Sequence, residues 1–236
     1  MKNLLGKQQI LKIYIDEHLR IEGEYTWRRL LEAARSMRLS GCTVLRGFAG
    51  FGPHHGSHNQ WQFDGAGEWT MILEIVDSKE KLREFLDRNE SILKNIVTFL
   101  KDITVRHYSS ETIDQQSNMM EAQMSNSQLN GTKTLLRIFL GESDIVGHQN
   151  AYAEILEQAR KKGLAGATVS RGIAGFGASS IMHEPHLFKL SSDLPIIVEI
   201  VDSQERIDQF LSQIEPLLKG ALVTQENVDV RHHSSK

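Results

Sequence analysis

One cysteine, Cys42, stands in 236 residues, which rules out an internal disulfide framework and any zinc site built from several thiolates. No apolar run comes near the ~18 residues that a bilayer-spanning helix requires, so insertion into a membrane is not expected. Charge of one sign is also missing. Lys and Arg number 27 against 30 Asp and Glu, a net −3, which gives no general pull toward nucleic acid or anionic lipid. The opening stretch MKNLLGKQQILKIYIDEH has no small-residue cleavage site and soon reaches acidic residues, so a secretory signal is not expected and the cytoplasm is the expected location. What remains is an ordinary globular composition, 40% hydrophobic and 24% charged, in a length that suits one or two domains.

The chain repeats itself. GCTVLRGFAGFG at 41–52 returns as GATVSRGIAGFG at 166–177, an offset of 125. The same offset lays LKIYIDE (11–17) on LRIFLGE (136–142), MILEIVDS (71–78) on IIVEIVDS (196–203), and TVRHYSS (104–110) on DVRHHSS (229–235). An ungapped overlay of 10–110 on 135–235 gives 36 identities in 101 positions. Repeats of this size set the architecture of a chain. The expected organisation is a first domain over 1–110, a polar linker over 111–132 and a second domain over 133–236. The linker reads ETIDQQSNMMEAQMSNSQLNGT, polar and poor in large apolar residues, with Met119, Met120 and Met124 leaving room for a short helix.

Within each copy the hydrophobic period changes in a fixed order. Ile10 to Ile15 alternates as a strand, and Glu24 to Met37 carries a helical stripe of Trp27, Leu30, Leu31 and Ala34. Thr43 to Phe48 predicts a second strand, and GFAGFG then leads into a polar loop. Met71 to Val76 predicts a third strand, and Asp77-Ser78 an N-cap. Leu82, Phe85, Leu86 and Leu93 mark a second helix, and Ile103 to His107 closes the unit as a fourth strand. The order β-α-β-β-α-β is the ferredoxin-like unit. The fold class expected is therefore α+β, two such units in tandem.

Two helices on one side of a four-stranded sheet leave its other face uncovered. Glu74 falls on that face between Ile72 and Val76, and Glu199 repeats it between Ile197 and Val201. A carboxylate there needs a partner if it is buried. Arg46 and Arg106, with Arg171 and Arg231 in the second copy, are the expected partners, and the four residues Glu74, Arg106, Glu199 and Arg231 the expected interface set. The bland reading is an ion-paired face that packs on another sheet. The sharper one makes Glu74 a general base, but no second carboxylate or nucleophile accompanies it in the motif segments.

The run GLAGATVSRGIAGFG at 163–177, followed by PIIVEIVDS at 195–203, resembles the PII-like family of domain of unknown function 190. The resemblance covers both copies, and the first departs with Arg38 for Gly163, Cys42 for Ala167, Leu45 for Ser170 and Thr70 for Pro195. More distantly the pattern is similar to the nitrogen-regulatory PII proteins. That kinship implies ferredoxin-like units closing as trimers, adenine nucleotide in the clefts between subunits, and a long loop that engages a membrane transporter or an enzyme. It implies a non-enzymatic signalling protein. It maps ligand binding onto Arg46, Gly47, Gly50, Phe51 and Gly52, and onto Arg171, Gly172, Gly175, Phe176 and Gly177. The chemistry suits those types: glycine lets backbone approach an anion, and arginine grips phosphate bidentately. The plainer alternative is a bulged strand end leading into a loop. PII proteins carry a second glycine-rich phosphate loop where this chain reads NIVTFLKDI (95–103) and GALVTQENV (220–228).

After the glycine turns the copies diverge. His54, His55 and His58 follow the first, and His183 and His186 the second. Imidazole ligates zinc, copper or nickel, so these five are the candidate metal ligands of an alternative reading as a metal-binding protein or small enzyme. Copper-tolerance proteins share the trimeric architecture, which keeps that reading open beside a merely solvated loop. Two units cannot fill a three-unit ring, so the smallest assembly with complete rings has three chains, about 80 kDa from three copies of 26.7 kDa.

Overall fold

The structure, a computed structural model, describes residues 4–47, 70–108, 131–177 and 194–230. The first copy runs β1 (Gly6–Asp16), a two-rung hairpin of β2 (Arg20–Ile21) and β3 (Glu24–Tyr25), α1 (Thr26–Ser36), β4 (Gly41–Arg46), β5 (Thr70–Asp77), α2 (Lys79–Arg88), the short α3 (Glu90–Leu93) and β6 (Val97–Tyr108). The second copy runs β7 (Gly131–Gly141), β8 (Ile145–Val146), β9 (Gln149–Asn150), α4 (Ala151–Lys161), β10 (Ala167–Arg171), β11 (Ala174–Phe176), β12 (Pro195–Asp202), α5 (Gln204–Ile214), a 3-10 turn over Glu215–Leu217 and β13 (Leu222–Val230). Each is a ferredoxin-like unit with a small hairpin added before its first helix.

Two compact units result, and each borrows a short piece of the other copy. One comprises Gln9–Lys101 with Gly172–Met182; the other comprises Met1–Gln8, Asp102–Arg171 and His183–Lys236. The first unit has the strand order β6-β1-β5-β4-β11. Its core joins Leu11, Ile13 and Ile15 of β1, Leu30, Leu31 and Ala34 of α1, Met71, Leu73 and Ile75 of β5, and Leu82 and Phe85 of α2. The second unit has the order β10-β12-β7-β13-β6. Leu136 and Ile138, Ile155 and Ala159, Val198 and Ile200, and Ile207 and Phe210 occupy the corresponding places. Period-2 strands and period-3.6 helices thus bury the residues that the sequence pattern assigned.

Some boundaries differ from expectation. β6 starts at Val97, six residues before Ile103, and β7 starts at Gly131, inside the expected linker. The segments read as NIVTFLKDI and GALVTQENV run into β6 and β13 rather than forming a phosphate-binding turn.

The helix-to-strand turn uses the left-handed region in both copies. Gly163 has φ 62° after α4, and Arg38, at the matching place after α1, has φ 54°. The hairpin turns match in the same way, with Gly147 at φ 64° and Glu22 at φ 55°. An L side chain is strained in this region and glycine is not.

Candidate functional site

At the end of β4 the Arg46 guanidinium donates to Glu17 just beyond β1, at 2.8 Å. The second copy repeats the pair, with Arg171 at the end of β10 donating to Glu142 at 2.6 Å. Both lie on the rim of their own sheet: side-chain exposure is 42% for Arg46 and 56% for Arg171. Exposed pairs of this kind contribute about 0–1 kcal/mol. A dianionic phosphate could therefore take the guanidinium from its carboxylate at small cost, with a better-matched bidentate geometry. Gly47 follows at once and donates its N–H to the Thr70 carbonyl at 2.8 Å.

The two sheet glutamates take cross-strand cations, Lys12 for Glu74 and Arg137 for Glu199, where Arg46 and Arg106, and Arg171 and Arg231, were expected. Glu74 lies directly across from Lys12 of β1 and bonds it at 2.5 Å. Glu199 lies across from Arg137 of β7 and bonds it at 2.7 Å. Arg106, expected beside Glu74, reaches Asp208 at 3.0 Å; Arg231 lies outside the described residues. A cross-strand neighbour is the shortest route to a counter-ion in a sheet, so register, not proximity in a motif, decides the partner. In the first copy the anion is the buried member, with Glu74 at 2% side-chain exposure and Lys12 at 24%. The second copy inverts this, with Arg137 at 6% and Glu199 at 35%. Arg137 also lies over the Phe139 ring, 4.9 Å from its centre.

A third repeated feature centres on the aspartate of Asp77-Ser78, expected from the sequence only as an N-cap; Ser78 takes the cap position but its side chain makes no cap hydrogen bond. Asp77, at the end of β5, accepts from the Ser40 N–H at 2.8 Å and hydroxyl at 3.0 Å, and from the Ser78 N–H at 2.8 Å. Asp202 accepts from the N–H groups of Ala165 at 3.0 Å and Ser203 at 2.7 Å. A cation from the next helix completes each corner, Lys81 at 3.5 Å and Arg206 at 3.3 Å. Both carboxylates are nearly inaccessible, and every partner is structural, so these are locks between strand and helix. The repeated IVDS was the signal for them.

Gly175 and Phe176 have a different place from a ligand-facing turn. They form β11, which pairs antiparallel with β4: Ala174 with Val44, Gly175 with Thr43, and Phe176 with Cys42. The Ile173 N–H donates to the Val44 carbonyl at 2.8 Å. Phe176 is buried in the first unit's core. A Cβ on Gly41 would lie 3.5 Å from the Phe176 carbonyl, an ordinary van der Waals contact, so this approach does not itself require glycine. Cys42, beneath β11, is buried, and burial together with the Glu74 charge pushes its thiol well above the usual range. Gly172 and Gly177 flank the strand. Gly50, Phe51 and Gly52 lie outside the described residues, as do His54, His55, His58, His183 and His186. Among the described residues no cluster of three or more His, Cys, Asp or Glu is arranged to hold a metal, and no helix is long and apolar enough to cross a membrane.

A family profile described as DUF190, Uncharacterized ACR, matches residues 8–105 and again 133–230. The chain belongs to this family. Its two matches coincide with the two ferredoxin-like copies, so this chain is a tandem pair of DUF190 domains. A UPF0166 protein of Aquifex aeolicus is 44% identical over 98 residues, covering 42% of this chain and 92% of that relative. A UPF0166 protein of Methanocaldococcus jannaschii is 35% identical over 86 residues, covering 36% of this chain and 79% of its own. These relatives are about one copy long. Among solved structures, CPII, a nitrogen regulatory PII-like protein from Thiomonas intermedia K12 bound to ADP, AMP and bicarbonate, aligns at 18% identity and a TM-score of 0.35. That alignment covers 43% of this chain and 90% of CPII.

Proposed function

We propose that this protein is a regulator that acts by binding rather than by catalysis, and that its ligand is a small anion of the adenine-nucleotide class. The ligand sits at the rim formed by Arg46 and Gly47, and at the matching rim of Arg171 and Gly172. The observation that carries this reading is the repeated exposed pair, Arg46 with Glu17 and Arg171 with Glu142. An arginine kept at a strand end by a weak, exchangeable carboxylate is a phosphate receptor at rest. Gly50, Phe51, Gly52 and Gly177 complete the proposed ligand set by their place in the repeated turn. Three chains assemble, so that six units complete the rings, and the signal passes to a protein partner such as a transporter or an enzyme.

Isothermal titration with AMP, ADP, ATP and cyclic AMP tests the reading. At least one nucleotide should bind, Arg46→Ala with Arg171→Ala should weaken it at least tenfold, and Glu17→Gln with Glu142→Gln should tighten it several-fold by removing the competing carboxylates. Silence across the panel overturns the nucleotide reading. Stoichiometric zinc, copper or nickel after dialysis would favour a metal-binding protein instead.

A further inference from the structure

The start of α1 carries chemistry in the first copy that the second copy lacks. Tyr25 packs against the first unit's core and Trp27 is part of it, with their ring centres 6.4 Å apart. The Arg20 guanidinium sits over the Tyr25 ring, 3.9 Å from its centre. Arg28, in the first turn of α1, lies 5.0 Å from the Trp27 ring centre and 5.9 Å from that of Tyr25. Stacking on a ring directs a long side chain without using its N–H groups. The nearby carboxylates are engaged elsewhere: Glu22 bonds Arg29 at 2.6 Å, and Glu32 lies 3.8 Å from Arg35. Arg20 donates to the Gly23 carbonyl at 3.0 Å, but among the described residues neither Arg20 nor Arg28 has an ion-pair partner. Both are exposed, and the first turn of α1 contains no acid. Ile145, Asn150, Tyr152 and Ala153 stand at the matching places of the repeat, so the second copy has neither arginine.

We infer that Arg20 and Arg28, held on Tyr25 and Trp27, form a docking site for an acidic segment of a partner protein, present in the first copy alone. A guanidinium fork matches a carboxylate bidentately, and a fork already ordered by stacking loses less freedom when it binds. Arginine, tyrosine and tryptophan are also the residues that carry most binding energy in protein interfaces. Both rings are anchored by the core, so the two arginines stand on a rigid base. Glu22 and Glu24 flank them on the same hairpin, and both are exposed. Their charge opposes an extended polyanion such as nucleic acid and favours a few well-placed carboxylates. This names the contact surface of the proposed regulator, and it rests on that reading only in taking the partner to be a protein.

Fluorescence anisotropy of a labelled hexaglutamate peptide, titrated with the full-length chain in the absence of nucleotide, tests it against hexaglutamine as the baseline. The acidic peptide should bind, and Arg20→Ala with Arg28→Ala should weaken it at least about tenfold, the loss of one charge-assisted contact. Arg20→Lys with Arg28→Lys keeps the charge but removes the stacked fork, and should weaken it nearly as much. Lys161→Ala with Lys162→Ala, on the second copy's helix, should leave it unchanged. TROSY spectra of the unaltered chain guard against misfolded variants: the peptide should shift the amides of 20–28 and leave those of 145–153 in place. Absence of binding overturns the inference, as does binding that the lysine variant retains or shifts confined to other segments. Tighter binding of a single-stranded oligonucleotide, lost in the same alanine variant, also overturns it by making the partner a nucleic acid. These readings contain no nucleotide, so their failure leaves the Arg46 rim untouched, and silence of the adenine panel leaves this surface untouched.

Discussion

β4 and β10 share the residues Thr, Val and Arg at matching positions, yet among the described residues β4 pairs on both sides and β10 with β12 alone. The difference comes from outside either strand, from β11, which lays a phenylalanine and a ladder of hydrogen bonds on β4. A second contrast lies at the helix-to-strand turns, where the first copy holds Arg38 and Glu22 in the left-handed region and the second holds glycines. Among the described residues the second copy has glycine at these turns and an edge strand paired on one side; the first has L side chains in the left-handed region and a strand paired on both sides.

The contrast breaks most visibly at Phe176. Phe176→Ala should cost about 3–5 kcal/mol by loss of buried area and the cavity left behind, read as a shift in the urea midpoint. It should also make Cys42 react with Ellman's reagent under native conditions, because β11 is its cover. Next come the corner locks. Asp77→Ala strands the Ser40 and Ser78 N–H groups and should cost about 2–4 kcal/mol, with Asp202→Ala alike; a neutral result at either would remove its role as a lock.

Smaller effects sharpen the comparison. The Cys42 thiol is pushed up by burial and by Glu74, so it stays protonated in the folded chain while the unfolded chain ionises it above about pH 8.5. Its stabilising share is therefore full below that pH and is lost as the pH rises further. Cys42→Ala should flatten the alkaline fall in stability by up to about 1.4 kcal/mol per pH unit, measured by denaturation between pH 8 and 10. The smallest expected change is a gain. Arg38→Gly should stabilise by up to about 1 kcal/mol by relieving the left-handed strain, whereas Gly163→Arg should destabilise by a similar amount. Equal and opposite thermal shifts would confirm the two turns as equivalents.

The tandem repeat, the order of helices and strands, and the residues that bury were legible because they are local or periodic. Leu11, Ile13 and Ile15 declare a strand by alternation, and Leu30, Leu31 and Ala34 a helix by spacing. The hairpins at 20–25 and 145–150 escaped because two-residue strands have no period. The start of β6 escaped because Val97 and Phe99 are exposed, so no buried face announces it. The partners of Glu74 and Glu199 depend on register across strands, which composition does not reveal. Arg46 and Arg171 were found as candidates, but their carboxylates, just past the end of the strand two places away in the sheet, were not. β11 was hidden most fully, since its three residues become a strand only through β4, more than a hundred positions away.

Hydrogen exchange of the native full-length chain, followed at the Ile173 amide, tests most directly whether the second copy's glycine turn is a strand of the first unit. The Ile173 N–H bonded to the Val44 carbonyl should exchange as slowly as the β4 ladder amides and lose that protection together with them on Phe176→Ala. Exchange of Ile173 at the rate of an open loop, while β4 stays protected, would contradict the account.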